Sequence, residues 1–206
     1  MAIKQFKCDD LKPGDILVKF SDQSWLNWII ENMQYFLGGK NSQVTHAGII
    51  YDQKHLIEVQ AEGVVADDLT KENTPYGYIV FRCKNKKLAD GAAQFAKILV
   101  DVSAKKKNMK YAMLDAVYAL HPGKEDAEDK KALEATVEAI LTDQGHDFFC
   151  SHLVVFIYQF VAEQNGMKGS DVFKLKASLV SPSTLAAHLV DSKVFDEVGY
   201  LMPHER

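Results

Sequence analysis

Only three cysteines, five prolines and no run of about 18 apolar residues occur in the 206 positions of this chain. Cys8, Cys83 and Cys150 are too few and too widely spaced for a disulfide framework, and they lack the paired short spacings of a zinc ribbon. An odd number leaves at least one thiol free. Asn27, Glu31, Asn32 and Gln34 interrupt the most apolar early segment, which argues against a membrane span but not against lipid contact at the surface. There is no basic excess either: 24 Lys and Arg against 28 Asp and Glu give a net charge of −4, so no global positive field points to nucleic acid. The seven histidines form neither His-x-x-x-His nor His-Glu-x-x-His, and no carboxylate run has calcium-loop spacing. No Gly-rich nucleotide loop is present, so neither metal nor cofactor is expected. Residues Met1 to Lys7 show no apolar stretch and no small-residue cleavage site, which argues against a secretory signal and for a reducing cytoplasm.

What the chain does have is the composition of a globular protein, 47% hydrophobic and 10% aromatic, able to bury a core. No repeat, low-complexity tract or Gly/Ser/Pro-rich linker divides it, so residues 1–206 are expected to form one domain. Residues 14–20 read as a strand and 24–37 as a helix stopped by Gly38-Gly39. Val44 to Tyr51 and Leu56 to Ala61 read as a hairpin, with Val64 to Leu69 and Tyr76 to Cys83 continuing an antiparallel meander. Helical periodicity then covers Leu88 to Val102, Met109 to Leu120 and Glu125 to Leu141. Phe148 to Glu163 is apolar on nearly all sides, which predicts a central buried helix. A short helix beginning at Pro182 runs through His188, and Val194 to Leu201 closes as a strand. Sheet and helices segregate, which indicates α+β.

Cys150 lies at the start of the buried helix. The helix dipole and free backbone amides there stabilise a thiolate and offer donors to an oxyanion, although buried cysteines are more often small core residues. A thiol nucleophile needs a base. His152, two residues on, projects to the far side of the helix, and nothing fixes His146. His46 lies in the strand Val44-Thr-His-Ala-Gly-Ile-Ile50, where Gly48 permits close approach of a backbone or a substrate. A turn centred on residue 52, 53 or 54 puts Glu58 on the same face as His46; one centred between residues puts it on the other. Glu58 then orients the imidazole, with Gln60 of the same parity as the fallback.

The run from His46 to Glu58, followed by Gly63-Val64-Val65 and Leu69, resembles the His strand and next strand of NlpC-type papain-like cysteine peptidases. In that family a third polar residue follows the His by the same twelve positions. His46 and Glu58 here precede Cys150-Ser151-His152-Leu153-Val154, an order similar to the circularly permuted, YiiX-like branch. Gly14-Asp15-Ile16-Leu17 and Ser181-Pro182-Ser183-Thr184-Leu185 are similar to that branch as well. His152 departs from the more usual Cys-Ser-Glu, and the charged segment around 123–145 has no counterpart.

The resemblance implies a permuted papain-like fold and a cysteine peptidase or amidase with Cys150 as nucleophile, His46 as base and Glu58 as orienting group. It implies a small peptide-like or lipid-like substrate, the best-known relatives cutting peptidoglycan peptides. Alternatives are an acyltransferase using the same three residues and a catalytically silent lipid or peptide binder. Trp25, Trp28, Tyr35 and Phe36 could wall an acyl chain but read equally as core. Tyr111 resembles a substrate-side tyrosine of the permuted branch. Lys84-Asn85-Lys86-Lys87 and Lys105-Lys106-Lys107 could meet anionic headgroups, but such runs are ordinarily solvated surface.

Overall fold

A computed structural model describes residues 4–20, 44–60, 63–71, 77–104, 149–177 and 180–202. The helices expected at 24–37, 109–120 and 125–141 lie outside them, as do the aromatic residues from Trp25 to Phe36, Tyr111, His146 and Lys105 to Lys107. In chain order the described elements are β1 (Gln5–Phe6), a 3-10 turn (Cys8–Asp10), β2 (Ile16–Phe20), β3 (Val44–Ile50), β4 (His55–Gln60), β5 (Gly63–Asp68) and β6 (Tyr78–Cys83). After these come α1 (Lys86–Ser103), α2 (Phe149–Gln164), α3 (Gly169–Val172), α4 (Pro182–Val190) and β7 (Phe195–Leu201). The architecture is mixed α and β, with one seven-stranded sheet in the order β1-β7-β6-β2-β3-β4-β5.

That order corrects one expectation. The meander β3-β4-β5 forms, but β6 does not continue it; β6 pairs antiparallel with β2 and β7 instead. The cause lies in β2, where Ile16, Leu17, Val18 and Phe20 are all buried, as in a strand covered on both faces and flanked on both sides. Alternate residues divide between two apolar clusters. The larger joins Ile16, Val18, Ile49, Ile57 and Phe81 to α1, α2 and α4, whereas the smaller gathers Leu17, Ile50, Leu56, Tyr78 and Val80 with Phe6, Leu11 and Leu201.

Helix α1 begins where the Asn85 side chain accepts a hydrogen bond from the Leu88 amide at 3.2 Å. Its buried stripe, Leu88, Ala92, Phe95, Ala96 and Leu99, is small enough for α2 to approach closely. A Cβ at Gly91 would stand 2.6 Å from Val161 Cγ1, so a larger residue at that crossing would force the Val161 side chain to shift. Phe95 lies 4.6 Å from Phe160, ring centre to ring centre, and contributes to the lock between the helices. The expectation for α2 holds: from Cys150 to Tyr158 every residue is buried. Two polar side chains anchor its faces, Ser151 donating to the Val180 carbonyl and Tyr158 donating to the Gly14 carbonyl.

Candidate active site

The β3–β4 hairpin sets the geometry. The amide of Tyr51 donates to the His55 carbonyl at 3.0 Å, closing a loop of Asp52, Gln53 and Lys54. One Asp52 oxygen accepts from the amides of Lys54 (2.9 Å) and His55 (2.8 Å), which fixes the loop in a single conformation. Despite partial burial, these contacts and the His55 ring hold the Asp52 carboxyl below its ordinary value. The turn is therefore centred on Gln53, and Ile49 stands opposite Ile57 and Ile50 opposite Leu56. Continuing that register puts Gly48 opposite Glu58 and His46 opposite Gln60, so His46 and Glu58 share a face one diagonal step apart. The close approach anticipated at Gly48 comes from β4 itself: a Cβ there would meet the Ile57 carbonyl oxygen at 2.7 Å.

A bulge lies beside His46. Lys19 of β2 pairs with His46 but Phe20 pairs with Val44, which leaves Thr45 as an extra residue. Bulges of this kind bend and twist a strand end and re-aim its side chains. Here the bulge lies beside a strand histidine whose ring is influenced by a thiol carried on a helix, Cys150 being among the groups that raise the His46 pKa. Cys150 is in the first turn of α2, where backbone amides have no acceptor within the helix.

His46 Nε2 lies 2.9 Å from Glu58 Oε2. The Nε2–Oε2 contact runs off the axis of the ring N–H, so it acts more as an ion pair than as an aligned hydrogen bond. The carboxylate is almost fully buried, the imidazole about a quarter exposed. Burial, the largest influence, pushes the ring pKa down, but the hydrogen bonds and attraction of Cys150 and Glu58 outweigh it and raise His46 from 6.5 to about 10. For Glu58 burial pushes up, whereas His46 and then Gln60 and Asp67 bring the carboxyl below its ordinary value. Both partners shift toward their charged forms.

The carboxylate has a further support that sequence reasoning did not include. Gln60 Nε2 donates to Glu58 Oε1 at 2.8 Å and to Asp67 Oδ2 at 2.5 Å. Asp67 belongs to β5, where Glu58 stands opposite Val65 and Leu56 opposite Asp67. Period-two counting across the β4–β5 turn was the available signal for Asp67.

The other thiols differ in setting. Burial raises the pKa of Cys8, helped by Asp9 and Asp68, and burial raises that of Cys83; all three cysteines are free. His152 is fully buried in α2. Lys84 pairs with Asp196 at 2.9 Å and Lys86 with Asp90 at 2.5 Å, as solvated surface lysines do. Among the described residues no group of three or more His, Cys, Asp or Glu side chains is arranged to hold a metal ion, and no helix is long and apolar enough to cross a membrane. No protein-family model, curated protein or solved structure matches the chain.

Proposed function

We propose that the chain is a cysteine-dependent hydrolase of amide bonds, built as a circularly permuted papain-like domain, with Cys150, His46 and Glu58 as its catalytic residues. The observation that carries this reading is the His46–Glu58 contact at 2.9 Å, with Cys150, about a hundred residues on in sequence, among the groups acting on the same ring. Composition and isolated motifs do not produce such an order, whereas nucleophilic catalysis requires it.

The chemistry follows from the charges. Cys150 passes its proton to the neutral His46 ring, the ionised Glu58 stabilises the imidazolium that forms, and the thiolate attacks a carbonyl carbon. The amide of Cys150, in the first turn of α2, donates to the developing oxyanion. The His46 imidazolium then protonates the departing amine as the C–N bond breaks, leaving a thioester on Cys150. Neutral His46 next takes a proton from water, the hydroxide adds to the thioester, and the C–S bond breaks to release the acid. Glu58 keeps Nε2 protonated throughout, so that Nδ1 performs both transfers. If an amine or alcohol replaces water in the second half, the product is a transferred acyl group and the residues keep their roles.

Substrate class follows the same reading: a peptide, a peptide with cell-wall-type linkages, or a lipid amide. The test is a panel of peptide and fatty-acyl amides, with amine release measured and the protein weighed intact during turnover. The expected result is an acyl adduct on Cys150 in the wild type and none in Cys150→Ala. Binding of such amides without adduct or amine release would favour a silent binding protein.

A further inference from the structure

We propose that Gln60 and Asp67 are positioning residues for this site, clamping the Glu58 carboxylate so that one oxygen, Oε2, always faces His46. The inference rests on the cysteine-hydrolase reading and extends it from three residues to five.

A carboxylate on a strand is free to rotate about its last bond, and a rotated Glu58 would offer His46 a different oxygen at a different angle. Buried as it is, Glu58 also needs a donor on the oxygen that His46 does not touch. Gln60 meets both needs by donating to Oε1 at 2.8 Å. An amide can also flip, and after a flip its carbonyl oxygen would face Glu58 with no proton between them. Asp67 prevents this, because its Oδ2, 2.5 Å from the same nitrogen, accepts the second N–H. A carbonyl oxygen between two carboxylate oxygens would be repelled by both, so the atom there is the nitrogen. The amide hence has one orientation, and through it so does Glu58.

Each residue follows from the register already described. Glu58 and Gln60 alternate onto one face of β4, and Asp67 joins that face from β5. The clamp uses β4, which lies next to β3, and β5 beyond it.

The test measures iodoacetamide alkylation of Cys150 across pH in Gln60→Leu, Asp67→Ala and Asp67→Asn, each also made in a Glu58→Gln background, with circular dichroism to check folding. Gln60→Leu and Asp67→Ala are expected to slow Cys150 alkylation at pH 7 by about tenfold and to move the rise of its rate to higher pH, because a less stabilised imidazolium leaves less thiolate. Asp67→Asn, which still offers Gln60 an acceptor, should recover most of the rate. In the Glu58→Gln background all three should change the rate less than twofold, because residues acting through Glu58 lose their lever when its charge is gone. Rates within twofold of wild type for Gln60→Leu and Asp67→Ala, or full losses persisting in Glu58→Gln, would overturn the clamp. If one of Gln60→Leu and Asp67→Ala fails to fold, the other decides, by its rate alone and in the Glu58→Gln background. A wild-type Cys150 that reacts no faster than Cys8, or independently of His46, would overturn the hydrolase reading and the clamp with it. A reactive, His46-dependent Cys150 unaffected by the clamp variants would overturn the clamp alone.

Discussion

Nε2 of His46 lies 2.9 Å from Oε2 of Glu58, although the hairpin register sets the two residues one diagonal step apart rather than face to face. A long glutamate spans that diagonal; an aspartate would fall short by one methylene. Glu58→Asp is therefore expected to keep the charge and lose the contact, lowering kcat on any amide that turns over by about tenfold with little change in KM. A variant indistinguishable from wild type would show that the contact does not orient the ring.

The pH dependence follows from the same pair. With His46 raised to about 10, activity that needs its imidazolium should persist through neutrality and fall along an alkaline limb near that value. Glu58→Gln should move the limb down. The pair also contributes to stability, and the two signs differ. His46 has a folded pKa above its unfolded 6.5, so its contribution is complete below 6.5 and is lost as pH rises through about 10. Glu58 is lowered, so its contribution is complete above 4.5 and is lost on acidification. The Tm difference between wild type and Glu58→Gln should thus be largest between about pH 5 and 7, and a flat difference from pH 3 to 11 would contradict the ion pair.

Glu197 on β7 is predicted to act in the opposite sense. Both its carboxylate oxygens are buried without a hydrogen-bond partner, and burial pushes its pKa from 4.5 to about 7. The folded state holds this proton longer than the unfolded chain does, so the contribution present below 4.5 disappears as pH rises through about 7. Glu197→Gln, always neutral, should raise Tm at pH 8 by about 2–4 °C, corresponding to about 1 kcal/mol, and leave it unchanged at pH 4. Equal effects at both pH values would show that the charge of Glu197 is not what burial penalises.

Much of this arrangement was legible from sequence, for reasons that particular residues supply. The Asp52-Gln53-Lys54 turn announces the hairpin, and period-two counting from its centre places His46 and Glu58 on one face. The nearly unbroken apolar surface of 149–164 marks a buried helix, and with it the position of Cys150. Strand order was less legible: that β6 lies beside β2 rather than β5 depends on which buried strand offers an open edge, a tertiary fact that no local pattern carries. β1, two residues long and parallel to β7, is too short for any periodicity. Asp67 escaped notice because its role depends on an amide contributed by another strand.

Asp15 offers a test of the scaffold apart from the site. It is 1% exposed and accepts from Arg82 Nε at 2.8 Å, from Arg82 Nη2 at 2.6 Å and from the Lys12 amide at 2.8 Å, tying the turn before β2 to β6. Asp15→Ala leaves the Arg82 guanidinium without its carboxylate, with the Asp10 carbonyl still accepting from Nη2 at 3.0 Å, and should cost about 3 kcal/mol in urea unfolding. A loss under 1 kcal/mol would mean that water replaces the carboxylate there.

The most direct measurement on the central claim is competitive alkylation of the three thiols by iodoacetamide at pH 6, mapped by mass spectrometry. A Cys150 activated by His46 should react at least tenfold faster than Cys8 and Cys83, whose thiols burial holds in the protonated form, and His46→Ala should abolish that advantage. Three equally sluggish thiols, or a fast Cys150 that keeps its rate without His46, would contradict the account.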